Sequence, residues 1–367
     1  MARKLKSDRM LFYTTIVLTF SGLVMVYSAS NMLTPQNGGQ STLSLIKQFL
    51  FPGFGLAVMA VAMKFDYHFY RLPTFIWAML AFTIVALAAV LVFGPRINET
   101  HRWFRLGRVS IQPSEFAKIT IVIFAAAVLE QRMDRIKELR YALGPIAVVL
   151  AVLVPLIVYE PDYGTAVAVL AVVAVMVFAA GIPFRHLALI GAVTLPLLVA
   201  VGYLERYRVN RFLIFLHPEQ DPLGLGYQPL QSLIAVGTGG VTGRGLGGSI
   251  QKLAYLPYPS SDFIYAVTAE ELGLVGATLM LVCFGILTWR GLRVVSRAPD
   301  AFGSLLALGL TAMIAVQAFI NISVVLSMLP TKGIPLPFVS AGGSSLIVSL
   351  MSMGVLLNIS QQASAEG

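Results

Sequence analysis

The sequence predicts an all-α polytopic membrane protein of about ten transmembrane helices, with a long extracytoplasmic loop between helices 7 and 8. Three observations predict it. Of 367 residues, 57% are hydrophobic and only 12% charged. A soluble domain carries roughly 25% charged residues, so this chain has too few to cover a water-facing surface. Mean hydropathy is +0.81. Apolar runs of about twenty residues, the length that spans a hydrocarbon core, recur along the whole chain.

The runs fall at 10–30, 46–63, 73–94, 112–130, 142–158, 163–181, 186–204, 263–289, 303–328 and 338–358. Each is expected to be helical, because an unpaired backbone group in lipid costs several kcal/mol. The first run follows Arg3, Lys4, Lys6 and Arg9 and precedes Ser28-Ala29-Ser30, an order that imitates a signal peptide. Its length and the spans behind it favour a first transmembrane helix. The fifth and sixth runs are short and separated only by Tyr159 to Asp162. No repeat of fixed period is present. The chain reads as a single transmembrane domain, 1–367, with the loop 205–261 inside it.

Lys and Arg set the orientation. With both termini cytoplasmic, Arg3, Lys4, Lys6, Arg9, Lys64, Arg71, Arg132, Arg135, Lys137, Arg140, Arg185, Arg290, Arg293 and Arg297 all fall inside. The exceptions are Arg96, Arg102, Arg105 and Arg108 in one outer loop, Arg206, Arg208, Arg211, Arg244 and Lys252 in the long loop, and Lys332 in a third. They oppose the topology signal. They either contact lipid headgroups or face an anionic ligand. The formal net charge of +9 suits anionic membrane lipids and phosphate-bearing ligands. The charges form no single block on a soluble domain, which excludes nucleic acid. The one cysteine, Cys283, lies in an apolar run and reads as a small core residue.

The long loop exceeds the size of ordinary structureless connections. Its apolar stretch Leu230–Val236 is too short to span and is expected to form a re-entrant or interfacial helix. Its Gly243-Arg-Gly-Leu-Gly-Gly248 run formally matches G-x-G-x-x-G. No strand precedes it and no βαβ unit surrounds it, so a dinucleotide site is rejected. Glycines there let the backbone approach a ligand or a neighbouring helix, and Arg244 and Lys252 could bind phosphate.

Asp262 stands where the long loop meets the eighth span, with Glu270 and Glu271 two turns deeper. Carboxylates inside a membrane segment are expensive and point to function; the rival is structural ion pairing. At 100° per residue Asp262 and Glu270 lie about 80° apart and share a broad helical face. In Gln112-Pro-Ser-Glu-Phe-Ala-Lys118, Glu115 and Lys118 are spaced i, i+3 and pair on one helix face, as a cavity wall or a self-neutralising pair. Lys332 sits between three prolines. Beyond it Ser340, Gly342, Gly343, Ser344 and Ser345 favour close packing. His68, His101, His186 and His217 show no metal-ligand spacing.

These segments together resemble the SEDS family of shape, elongation, division and sporulation proteins. The resemblance rests on Val24-Met-Val-Tyr-Ser-Ala-Ser30, Arg102-Trp103 before Gln112-Pro-Ser-Glu115, and Glu160-Pro-Asp-Tyr-Gly-Thr165. It continues through Gly226-Tyr-Gln228, Gln231-Ser232, Gly243 to Lys252, and Ser261-Asp-Phe-Ile264 with Glu270-Glu271-Leu-Gly273. It ends with Asn321, Leu329-Pro-Thr-Lys-Gly333, Pro335-Leu-Pro-Phe338 and Gly342-Gly-Ser-Ser345. They cover nearly the whole chain in the family's order, closer to its division branch than to its elongation branch. One departure is Ser260-Ser261, where the family has His-Thr before the aspartate.

The resemblance implies a peptidoglycan glycosyltransferase of the bacterial cytoplasmic (inner) membrane, at the division septum or lateral wall, polymerising lipid II on the outer leaflet. It also implies a class B penicillin-binding protein and other division or elongation complex membrane proteins as partners. On this reading Asp262 is the catalytic base, or the carboxylate that organises a divalent cation (Mg or Mn); no organic cofactor is expected. Arg102, Arg206, Arg208, Arg211, Lys252 and Lys332 are candidates for the pyrophosphate. Glu115, Lys118, Glu270, Glu271 and Ser344 complete the candidate substrate-binding set. Two rival readings are a flippase or transporter for the same lipid, and a non-catalytic scaffold for the penicillin-binding protein.

Overall fold

The computed structural model describes residues 7–30, 40–96, 100–106, 109–136, 138–183, 206–253 and 255–362, with scattered positions between 185 and 196. For 40–47 and 206–209 the backbone alone is described. The helices are α1 (Arg9–Ser30), α2 (Gln40–Lys64), α3 (Pro73–Phe93), α4 (Pro113–Gln131), α5 (Leu139–Tyr159) and α6 (Tyr163–Ala179). After the long connection come α7 (Arg206–Leu216), α8 (Tyr227–Thr238), α9 (Ile264–Arg297), α10 (Ala301–Val325) and α11 (Gly343–Gln362). Nine of these coincide with nine of the ten expected spans. The tenth, 186–204, lies mostly outside the described residues.

Among the described residues, six helices are long and apolar enough to cross a membrane, and residues 48–64 and 163–179 form two shorter apolar helices. α4, α10 and α11 form the centre of the bundle, where most of their residues are buried. α3 and α9 stand at its periphery with Phe82, Val92, Phe93, Leu274 and Leu279 exposed. In water such a surface would aggregate; in a bilayer it is the lipid face. The buried threonine hydroxyls of α1 are satisfied within the helix. Thr14, Thr15 and Thr19 each donate to the carbonyl four residues back, at 2.8–2.9 Å.

The helix ends follow local chemistry. Pro113 and Pro73 occupy first-turn positions, where a missing N–H costs nothing. Asp162 caps α6 by accepting from the Thr165 N–H at 3.2 Å, and Asp300 caps α10 through the Gly303 N–H at 2.6 Å.

Two features refine the all-helical expectation. The connection after α3 carries a small antiparallel hairpin, β1 (Phe104–Leu106) against β2 (Val109–Ile111), as alternating aromatic and β-branched residues favour. The long loop is built rather than structureless. The expected short helix is α8, packed against α9 and α10, and Ser232 donates to the Val325 carbonyl at 2.7 Å.

α9 is broken. Gly273 adopts φ +67° and ψ −166° inside it, which interrupts the hydrogen-bond ladder. The Gly-rich segment of the long loop fills the gap. Arg244 and Gly245 donate their N–H groups to the carbonyls of Glu270 and Glu271 at 3.0 and 2.9 Å. Leu274 and Val275 donate to Gly240 and Val241 at 2.9 and 3.2 Å. All four orphaned groups are thereby paired, the condition for irregular backbone at membrane depth. A side chain at Gly243 would meet the Glu271 carbonyl at 2.1 Å, so glycine is required for this approach.

Candidate active site

The connections at one end of the bundle converge on Asp262. The residue lies in the turn before α9, its N–H bonded to the Tyr258 carbonyl at 3.2 Å. The helix begins only at Ile264, so the helical-wheel relation between Asp262 and Glu270 does not apply. The turn is clasped to the proline-rich segment 329–341. Ser340 Oγ donates to the Ser261 carbonyl at 2.5 Å, and the Ala341 N–H donates to Ser260 at 2.9 Å. Asn321 Nδ2 from α10 holds both sides, donating to the Asp262 carbonyl at 2.9 Å and to Ile334 at 2.7 Å.

The Asp262 carboxylate faces Gly333, where a Cβ would stand 2.9 Å from Oδ2. Asp262 lies in the connection before α9. Burial raises its carboxyl to about 6, partly opposed by the Ser261 hydroxyl and the Arg102 charge and reinforced by Asp162. Lys332, next to Gly333, places Nζ 5.7 Å from the centre of the Tyr163 ring. Arg211 on α7 donates Nη1 to the Thr331 carbonyl at 3.0 Å. Arg102 donates Nε to Glu160 and Nη2 to Pro161, both carbonyls at 2.6 Å. Asp262, Lys332, Arg211 and Arg102 therefore share one neighbourhood.

The turn that Arg102 grips contains two more acids. Asp162 accepts from Gln112 Nε2 at 2.9 Å and Ser114 Oγ at 3.0 Å. Glu160 is fully buried, and neither of its carboxyl oxygens has a hydrogen-bond partner among the described residues. Burial first, and the Asp162 charge second, push it up to about 9, so it is neutral at pH 7. Ser344 Oγ ties the hairpin to α11, donating to the Ser110 carbonyl and accepting from the Gln112 N–H, both at 3.1 Å.

The remaining acidic candidates are placed differently. Glu115 and Lys118 pair at 2.9 Å with 3% and 5% side-chain exposure. Lys118 also donates to Gln317 Oε1 at 2.5 Å, and Gln317 Nε2 reaches the Pro335 carbonyl at 2.8 Å. The pair thus supports the proline-rich segment from beneath. Glu270 and Glu271 form a second centre. Glu270 accepts from Ser249 Oγ at 2.5 Å and the Ile250 N–H at 3.0 Å, with Arg244 at 3.7 Å. Glu271 pairs with Lys252 at 2.6 Å and accepts from Ser28 and the Gly247 N–H. These groups pin the Gly-rich segment to the broken helix, and Lys252 is committed there rather than beside Asp262. The side chains of Arg206 and Arg208 lie outside the described residues.

Asn321, Gln317, Asp162, Glu160 and Ser340 join the site although the sequence reading did not select them for it. Each acts through one or two backbone carbonyls or a distant side chain, contacts that spacing along the chain does not reveal. Among the described residues, no group of three or more His, Cys, Asp and Glu gathers to hold a metal ion. A hard cation is nonetheless commonly held by one or two carboxylates together with substrate phosphates, and Asp262 fits that mode.

A family model described as Cell cycle protein, FtsW/RodA/SpoVE, matches residues 8–365. Stage V sporulation protein E of Bacillus subtilis (strain 168) is 40% identical over 363 residues, covering 98% of both chains. A probable peptidoglycan glycosyltransferase FtsW of Geobacter sp. (strain M18) is 40% identical over 357 residues, covering 96% of each. Among solved structures, a chain of a peptidoglycan synthase complex that coordinates polymerization and crosslinking superposes with a TM-score of 0.79. It is 31% identical, with 96% of this chain and 97% of that one covered. The Thermus thermophilus Rod shape determining protein RodA gives 0.71 at 27% identity, with 98% of each covered. With nearly its whole length matched in sequence and in fold, the chain belongs to the FtsW/RodA/SpoVE family of cell cycle proteins.

Proposed function

We propose that this protein is a peptidoglycan glycosyltransferase that polymerises lipid II at the outer face of the cytoplasmic membrane, with Asp262 as its catalytic base. The observation that carries the reading is the half-buried Asp262 carboxylate against Gly333, with Arg102 and Lys332 in its neighbourhood. Orientation is supported by the opposite end of the bundle, which holds Arg71, Arg132, Arg135, Arg140, Arg290, Arg293 and Arg297, as the positive-inside rule requires of a cytoplasmic face.

An α-linked sugar pyrophosphate donor yields a β-linked product by direct inverting displacement. Asp262 takes the proton from the acceptor 4-hydroxyl. The new C1–O4 bond forms as the bond from C1 to the pyrophosphate oxygen breaks, and the pyrophosphate leaves with the electron pair. A carboxyl raised to about 6 is a stronger base than an ordinary aspartate and is still ionised at neutral pH. Arg102, Arg211 and Lys332 supply positive field for the leaving group, and Arg206 and Arg208 extend the same helix as Arg211. In the alternative role, Asp262 would hold a Mg or Mn ion that would neutralise pyrophosphate charge, in place of acting as the base. The partner proposed for the complex is a class B penicillin-binding protein, at the septum or the lateral wall.

The test is glycan-strand formation by purified full-length protein from lipid II. Asp262→Asn is expected to lose about 10²–10⁴-fold in rate while its melting temperature in detergent at neutral pH is no lower than that of the wild type. Wild-type turnover by that variant refutes the assignment. Lipid II scrambling without polymer would replace the enzyme reading by a flippase.

A further inference from the structure

We infer that an open depression where the α4–α5 connection meets the start of α5 binds the phosphodiester headgroup of an anionic membrane lipid of the phosphatidylglycerol class. It lies in the leaflet opposite the Asp262 site, which is the cytoplasmic leaflet on the orientation proposed above. The depression measures about 640 Å³ and is lined by Arg132, Glu138, Arg140, Tyr141 and Pro145. One ring sets its cations in place. The Arg132 guanidinium lies 4.6 Å from the centre of the Tyr141 ring and that of Arg135 5.6 Å, and Arg132 Nη1 also donates to the Tyr141 carbonyl. None of Arg132, Arg135 and Arg140 forms an ion pair with a carboxylate among the described residues. At the same end of the bundle Arg71 is taken by Glu130 at 2.8 Å and Arg290 by Asp8 at 2.5 Å. Positive charge that acidic side chains neutralise there is left over around Tyr141.

The level of the depression in the bilayer follows from α5. Tyr141 and Tyr159, near its two ends, are both exposed and stand about 27 Å apart at 1.5 Å per residue, close to the thickness of a hydrocarbon core. Exposed tyrosines at that separation mark the two headgroup levels, so the arginines around Tyr141 lie among the phosphates. A basic pocket at that level suits an anionic lipid head, and guanidinium forks bind phosphate oxygens in pairs. Glu138 is the one carboxylate among the lining residues, with Asp134 in the adjoining turn. It repels a second negative charge and accepts from a hydroxyl. That favours the singly charged, hydroxylated head of phosphatidylglycerol over a phosphomonoester. Along α5 the stripe from Pro145 continues through Val148 and Val152, both exposed, and Gly144 has open space around it. The occupant therefore has an apolar tail as well as a charged head, which a free phosphate lacks.

The test titrates full-length protein in detergent with phosphatidylglycerol or phosphatidylethanolamine of the same acyl chains and counts bound lipid by native mass spectrometry. The expected result is preferential retention of phosphatidylglycerol. Arg140→Gln, at an exposed side chain, is expected to weaken it about fivefold, and Arg132→Gln with Arg140→Gln about thirtyfold, as removal of one and two interfacial cations implies. Lys64→Gln with Arg293→Gln removes the same charge elsewhere at this end of the bundle and is expected to leave the affinity unchanged. Equal affinity for phosphatidylethanolamine, or an equal loss in the Lys64 and Arg293 variant, overturns the inference and reduces the cluster to general surface charge. Displacement of the lipid by millimolar glycerol phosphate also overturns it and assigns the site to a free anion. Binding is read without turnover, so either outcome leaves the glycosyltransferase reading where it stands.

Discussion

Lys252 Nζ lies 2.6 Å from Glu271 Oε1, with neither side chain more than 1% exposed. The pair joins the Gly-rich segment to the broken α9 and shares Ser28 of α1 as a third partner. Removing one member of a buried pair strands the other charge, at a cost of about 3–5 kcal/mol. Lys252→Met is therefore expected to lower the melting temperature sharply, and adding Glu271→Leu to restore most of it. If Lys252 instead bound pyrophosphate, the double variant would fold and fail to polymerise.

The break in α9 gives a paired comparison. A Cβ at Gly273 would stand 2.3 Å from the Gly243 nitrogen, at a positive φ, whereas Gly285 in the same helix has open space around it. Gly273→Ala is expected to lose about 1–3 kcal/mol from backbone strain alone. Gly285→Ala is expected to be neutral or slightly stabilising. Equal thermal stability of the two variants would show that the Gly-rich segment does not require that approach.

Asp262 gives a pH dependence in both rate and stability. Its carboxyl is raised by burial to about 6, so the basic form is half lost there and kcat/KM is expected to fall about tenfold per unit well below it. For stability the sign is the reverse of a salt-bridged aspartate. Protonation favours the folded state, so this contribution is full below about pH 4 and is lost as pH rises through about 6. Asp262→Asn is expected to remove that slope in thermal melts recorded from pH 4 to 7.

Asn321 holds the Asp262 carbonyl and the Ile334 carbonyl with one amide. Asn321→Leu leaves both acceptors without this donor and frees the turn from the proline-rich segment. The expected outcome is a fall in kcat of about ten- to a hundredfold with KM little changed, because positioning rather than substrate contact is lost. A rise in KM alone would mean that Asn321 contacts substrate directly.

The aspartate before α9 and the cations of the loops stand out in the sequence because both break a rule of membrane chemistry. Spacing along the chain does not separate a carboxylate at a loop turn from one paired within the bundle. Glu270, Glu271 and Lys252 violate the same rule as Asp262, yet they neutralise one another and leave their backbone neighbours pinned. Glu115 and Lys118 also neutralise each other, as their i, i+3 spacing implied. Asn321, Gln317 and Ser340 carry no such signal. An amide or a hydroxyl in an apolar helix reads as ordinary until the carbonyl that it holds, from 13 to 79 residues away, is placed beside it.

Composition and periodicity alone determined that the chain spans a membrane, where nine of its described helices lie and which loop is long, since lipid forces every apolar run into a helix with its hydrogen bonds internal. Only tertiary structure decided that α9 breaks at Gly273, that a glycine segment heals the break, and that Asp262 sits in the turn before α9 rather than on its face. The break and its repair depend on pairing backbone groups about 30 residues apart. The local pattern is silent about such pairing, because a helix and a broken helix carry the same hydrophobic stripe.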